Sequence, residues 1–177
     1  ENKKQEIDNS ELAKSILADL ESGEYKVGEI KKTKRKANPY APFKTSTLQQ
    51  AAANVLGWSA KRTMNVAQKL YEQGDITYHR TDSLNLVDSE VEKIRTYISN
   101  KYGVEALPEK PVVYKTGGKV VAQEAHEAIR PTQIENIELR TENIDVDDQK
   151  LYQLIWRRTV ACQMAPARVD QTNIYVK

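Results

Sequence analysis

Sulfur and imidazole are scarce in this chain. Its 177 residues hold one cysteine, Cys162, and two histidines, His79 and His126. A lone thiol forms no internal disulfide, which fits a reducing compartment. Two histidines and one thiol fall short of the usual His/Cys zinc site. Cys162 lies in the apolar helical stretch "TVACQM" and reads as core packing. No apolar run approaches the roughly 20 residues of a membrane helix, so no membrane partner is expected. No signal peptide is visible and the first residue is Glu1 rather than Met, so an excised fragment is expected. No repeat period and no P-loop spacing occur. Net charge is only +2, so the total does not announce a nucleic-acid binder.

What is present suits one ordinary domain, or one domain with pieces of another. Hydrophobic residues make up 39% and charged residues 29%, enough for a core with much solvated surface. Charge is unevenly spread. "KKTKRK", residues 31–36, places five cations in six positions, whereas "TENIDVDDQ", residues 141–149, is acidic. A basic stripe of this kind contacts phosphates or simply solvates a strand.

Periodicity predicts a mainly helical fold with short flanking β-strands. "DNSELAKSILADLESG" has capping residues at its start, one face of Leu12, Ile16, Leu17 and Leu20, and Gly23 as a stop. Ser46 and Gln49 have capping-box spacing ahead of a helix ending at Gly57, and Ser59 caps the next. These two helices, about 46–56 and 60–73, resemble a helix-turn-helix. Asp88 or Ser89 caps a further helix, with Val91, Ile94, Tyr97 and Ile98 inward. "DDQKLYQLIWRRTVACQM" gives the strongest helical pattern, buried through Leu151, Leu154, Ile155 and Ala161 and broken at Pro166. "EYKVGEIKKTKRK" and "RVDQTNIYVK" alternate as strands. Their pairing would leave residues 38–164 as an insertion between them.

The chemistry concentrates in "GDITYHRTDS", residues 74–83. A tyrosine attacks phosphorus to form a phosphotyrosine, but a phenol with a pKa near 10 needs help at neutral pH. Arg80, two residues beyond Tyr78, points to the same side if the backbone is extended. Its guanidinium fork is suited to phosphoryl oxygens. The bland alternative is a half-buried strand tyrosine beside an arginine paired with Asp82. His126, in "QEAHEAIRP", has Glu124, Glu127 and Arg130 nearby and could hydrogen-bond a phosphate or brace a loop. "DVDD", residues 145–148, has two aspartates spaced to hold Mg²⁺, yet it lies where a helix starts and reads better as a cap.

Three blocks taken together resemble a known family. They are "PYAPFKTSTLQQAA" with "LGWSAKRTMNVAQKLYEQGDITYHRTDS", then "AQEAHEAIRPT", then "LYQLIWRRTVACQMAPA". In order and spacing they resemble the type IA DNA topoisomerases, specifically bacterial topoisomerase I, over residues 39–167. The resemblance implies that Tyr78 is the nucleophile that becomes joined to a 5′ phosphate of single-stranded DNA. It implies that Arg80 contacts the scissile phosphate and that His126 and Glu72 line the site. Asp82 and Arg130 occupy matching positions, holding the site or the DNA. His79 receives no role.

The resemblance further implies ATP-independent relaxation of negatively supercoiled DNA by cleavage, strand passage and religation, in a cytoplasmic, nucleoid-associated bacterial enzyme. It makes residues 38–167 the active-site tyrosine domain. Residues 1–37 and 168–177 become stubs of an arch domain, with the remaining domains of the same polypeptide as partners. The family's acidic Mg²⁺-binding domain, with its lysine near the scissile phosphate, has no counterpart here. The Mg²⁺ site is therefore expected outside this chain, with none in the fragment, and the fragment alone is expected to be inactive. A competing expectation is a non-catalytic helix-turn-helix DNA-binding module built on the same helices and the basic stripe. A packing domain with weak DNA affinity is also compatible.

Overall fold

Capping side chains and left-handed glycines set where the helices begin and end. A computed structural model describes residues 6–114, 127–135 and 145–177. The chain divides into two compact units, one of residues 36–167 and one of residues 1–35 with 168–177.

In the larger unit, α2 (Thr45–Leu56) ends at Gly57, whose φ of 69° is left-handed and whose N–H donates back to Ala52 and Ala53 carbonyls. The short link to α3 (Ala60–Glu72) is closed by Ser59, whose hydroxyl accepts from the Arg62 N–H at 3.2 Å. Helix α4 (Asp88–Tyr102) is followed by a single 3₁₀ turn at Val104–Ala106. Helix α5 (Val146–Ala161) starts where the Asp145 carboxylate accepts from the Asp147 N–H at 2.8 Å. The aspartates of "DVDD" thus serve as a cap and as ion-pair partners. Asp147 binds Arg62 and Asp148 binds Lys69, each at 2.6 Å.

Two caps differ from the sequence expectation. Helix α2 begins one residue earlier than Ser46, and the Lys44 N–H donates to the Thr47 hydroxyl at 3.1 Å. Thr47 satisfies the exposed backbone end, so Ser46 and Gln49 are left free of that duty. In α4 the flanking residue is Val87, with Asp88 and Glu90 inside the first turn, where acids favour the helix dipole.

Helix α5 is the spine of this unit. Leu151, Tyr152 and Ile155 pack into one apolar cluster with Phe43, Leu48 and Ala52 from the α2 region, Ala67 and Leu70 from α3, and Ile76 and Ile129 beyond them. Trp156 and Val160 join a second cluster with Ile94 and Ile98 of α4 and Ile134. Each fully buried aliphatic side chain contributes about 1.5–3 kcal/mol. The alternation of two faces along α5 explains why its periodicity was the clearest in the sequence: it is apolar on nearly two sides.

In the smaller unit, α1 (Ser10–Ser22) starts where Asn9 Oδ1 accepts from the Leu12 N–H at 2.8 Å. Strands β1 (Val27–Ala37) and β2 (Ala167–Val176) pair as a two-stranded antiparallel sheet. The Lys26 and Lys177 backbones exchange both hydrogen bonds at 2.9 Å. The apolar face expected for α1 is only half covered: Leu12 and Ile16 are half-buried, and Leu17 and Leu20 remain exposed. Among the described residues no helix is long and apolar enough to cross a membrane.

Candidate active site

The segment after α3 is not a ladder strand. Gly74, at φ 74°, turns the chain out of the helix, and Ile76 makes a single bridge to Pro131. The segment nevertheless keeps the alternation of extended backbone. Tyr78, Arg80 and Asp82 are exposed, whereas His79, Thr81 and Ser83 are buried. A phenol, a guanidinium and a carboxylate therefore share one outward side, as the two-residue spacing predicts.

Two other segments hold this row in place, one on each side. On the first side, the Thr45 N–H donates to the Thr81 carbonyl at 2.9 Å. The Thr45 hydroxyl donates to the His79 carbonyl at 2.8 Å and accepts from the Thr81 N–H at 3.0 Å. On the second side, the Thr77 N–H donates to the Arg130 carbonyl at 2.9 Å and the Thr132 N–H to the Asp75 carbonyl at 2.9 Å. The Thr77 hydroxyl donates to the Ala128 carbonyl at 2.7 Å and accepts from the Arg130 N–H at 3.0 Å. The Ile129 N–H in turn donates to the Phe43 carbonyl at 2.8 Å, tying the two flanking segments together. No local sequence pattern marks these threonines as site residues. Their one signal is that Thr45, Thr77 and Thr81 all lie inside the quoted blocks.

Arg80 makes no ion pair or side-chain hydrogen bond among the described residues, so the bland pairing with Asp82 is absent. Its guanidinium is free for a ligand. With Asp82, it edges an open cleft of about 480 Å³, completed by Lys44, Ser46 and Gln49 at the start of α2. Tyr78 is 48% exposed. Glu72 is exposed at the end of α3 and accepts from Gln68 Nε2 at 2.6 Å.

Arg130 sits differently. Its side chain is turned away from the outward row, 10% exposed, and bound to Glu127 at 2.8 Å and Glu90 at 3.1 Å. Its Nη1 also donates to the Pro131 carbonyl at 2.9 Å. Glu127 simultaneously accepts from the Val87 N–H, fixing the start of α4. Arg130 thus acts on the tyrosine segment through its backbone. His126 lies outside the described residues.

His79 is the buried member of the segment. Its ring is fully buried, 5.3 Å from the Tyr78 ring and 5.8 Å from the Tyr71 ring. Burial first, and then the adjacent Arg80 guanidinium, hold its pKa below the ordinary 6.5, with Glu72 pulling the other way. At neutral pH the ring is therefore uncharged.

A sequence profile of a family described as DNA topoisomerase matches residues 1–177. The chain belongs to the DNA topoisomerase family. It is 48% identical over 168 residues to DNA topoisomerase 1 of Escherichia coli, covering 95% of this chain and 19% of that protein. DNA topoisomerase 1 of Campylobacter jejuni is 47% identical over 180 residues, covering 97% of this chain and 26% of its own. The chain thus spans about a fifth to a quarter of these topoisomerases. Its fold is similar to that of full-length topoisomerase I from Thermotoga maritima, with a TM-score of 0.73 and 35% identity over all of this chain and 29% of that one.

Proposed function

We propose that this chain is the tyrosine-bearing part of a type IA topoisomerase, with Tyr78 as nucleophile. The observation that carries the reading is the pinned outward row. An exposed phenol and an unpaired guanidinium project from a segment hydrogen-bonded on both flanks, beside a cleft carrying Lys44. Residues 38–167 would be the tyrosine domain, inserted between arch segments at 1–37 and 168–177.

In the cleavage step the Tyr78 phenol oxygen bonds to a backbone phosphorus of single-stranded DNA. The bond from phosphorus to the 3′ oxygen breaks. The 3′ oxygen leaves as a hydroxyl, taking up the proton that the phenol gives to solvent. Religation is the reverse, with the phosphotyrosine keeping the bond energy, so no nucleoside triphosphate is consumed. Arg80 binds the phosphoryl oxygens as charge builds on them, a contribution of about 2.7–4 kcal/mol for donors of this type. Glu72 and His126 line the same site in this reading, Asp82 helps hold it, and Arg130 holds the tyrosine segment.

The described residues do not fit a magnesium ion. Among them no three acidic, histidine or cysteine side chains gather, and Asp145, Asp147 and Asp148 are committed to a cap and to Arg62 and Lys69. The Mg²⁺ of the full-length enzyme would then be held by another part of the polypeptide.

The reading as a non-catalytic helix-turn-helix module is less well supported. Two of the three cations of α3, Arg62 and Lys69, are spent on α5 aspartates. The full-length parent with Tyr78→Phe tests the choice. It is expected to lose the covalent DNA adduct and retain single-strand binding. Adducts persisting in that variant would remove Tyr78 from the mechanism. The isolated 177-residue chain is expected not to relax supercoiled plasmid with Mg²⁺.

A further inference from the structure

We infer that His79 is a positioning residue for Tyr78: its buried ring is the platform that holds the phenol in its outward pose. The inference rests on Tyr78 being the nucleophile. Three rings close on one another. Tyr71 meets Tyr78 at 5.2 Å and 66°, Tyr78 meets His79 at 5.3 Å and 66°, and Tyr71 meets His79 at 5.8 Å and 50°. The two contacts that Tyr78 makes are edge-to-face, and such contacts favour particular ring orientations. The two tyrosines are 40% and 48% exposed, whereas His79 is 0% exposed and its carbonyl is pinned by Thr45. His79 is therefore the fixed member on which the other two lean.

A buried imidazole is an expensive way to fill space. Both ring nitrogens of His79 lack a hydrogen-bond partner in the structure. An unpaired buried donor costs free energy that an aliphatic side chain would avoid. What the imidazole adds is a charge that can be switched on. The groups around it oppose that charge. Arg80 lies beside it in the chain, and α2 contributes the uncharged Thr45. From α3 come Tyr71 and, as the one group that favours the charge, the Glu72 carboxylate. The sign follows from a folded pKa below the ordinary 6.5. Above 6.5 the ring is neutral in the folded and unfolded states alike, so it adds no pH dependence to stability. As pH falls from 6.5 the folded state loses stability, because the unfolded chain protonates first. Below the folded pKa the ring itself charges, cannot stay buried next to Arg80, and the platform under Tyr78 opens.

Two measurements decide this. In the 177-residue chain, NMR followed through the acid range should show the Tyr78 ring resonances moving with the same midpoint as the His79 ring. Tyr78 resonances that ignore the His79 titration would overturn the inference. In the full-length parent at neutral pH, His79→Ala should slow covalent adduct formation about tenfold or more without weakening single-strand binding. His79→Leu restores bulk that cannot ionise. It should recover most of that loss and lack the acid limb of the wild-type pH profile. An acid limb unchanged in His79→Leu, or an adduct rate unchanged in His79→Ala, would overturn the inference. A wild-type parent that forms no adduct at any pH would instead sink the nucleophile reading, and the NMR midpoint would still decide whether His79 supports Tyr78.

Discussion

Thr77 grips the Arg130 backbone twice: the Thr77 N–H donates to the Arg130 carbonyl at 2.9 Å, and the Thr77 hydroxyl accepts from the Arg130 N–H at 3.0 Å. These residues are 53 positions apart in the chain. Their pairing fixes the residue immediately before Tyr78, and Thr45 fixes the residue immediately after it. A nucleophile must be held to within a fraction of an ångström, and here the hold is on the backbone at both neighbours.

Removing the Thr77 hydroxyl tests that hold. Thr77→Val keeps the shape but leaves the Arg130 N–H without its acceptor. We expect a loss of about 1–3 kcal/mol in stability, read as a lower urea midpoint at unchanged slope. Adduct formation by the full-length parent should fall while single-strand affinity holds. A variant with native stability and native adduct yield would show that the strap is dispensable.

Arg130 separates a structural from a DNA-contacting role. Its guanidinium is committed to Glu90, Glu127 and the Pro131 carbonyl. Arg130→Ala leaves the largely buried Glu127 carboxylate without this cation and Glu90 with Lys93 alone, and should cost about 3 kcal/mol. The salt dependence of DNA binding should not change. A phosphate contact would instead lower that slope by about one on removal.

The helices were legible because α2, α3 and α4 each bury one periodic face and α5 nearly two, and glycines 57 and 74 stop two of them. The row Tyr78, Arg80, Asp82 was legible as well, because alternation of exposure survives without a ladder. The strap was not legible. It depends on threonine hydroxyls bonding carbonyls more than 30 residues away, and no local pattern encodes such a partner. The sequence left Arg130 between holding the site and holding the DNA for a related reason: an arginine in a site-like block looks the same whether its fork faces a phosphate or two glutamates. The half-covered face of α1 shows the converse limit, since periodicity reports a face and not what covers it.

Cys162 gives a clean probe of the core. It is the only cysteine, it is buried, and burial pushes its thiol up to about 12. Alkylating reagents should leave it unmodified in the folded chain at mildly alkaline pH and label it fully in denaturing urea, because the thiolate is the reactive form. Stability should also fall as pH rises above 9.0, where the unfolded thiol ionises and the folded one does not. Rapid labelling of the native chain would contradict the packing around α5.

The most direct test of the central claim is to find the atom that carries the DNA. The full-length parent is allowed to cleave single-stranded DNA, the covalent complex is trapped by denaturation, and nuclease and trypsin reduce it to nucleotide-bearing peptides. The tryptic peptide running from Leu70 to Arg80 contains two tyrosines, Tyr71 and Tyr78. Fragmentation in the mass spectrometer should place the nucleotide on Tyr78, joined through a 5′ phosphate, with a free 3′ hydroxyl on the other DNA end. A nucleotide on Tyr71, on any residue outside this peptide, or joined through a 3′ phosphate would contradict the account.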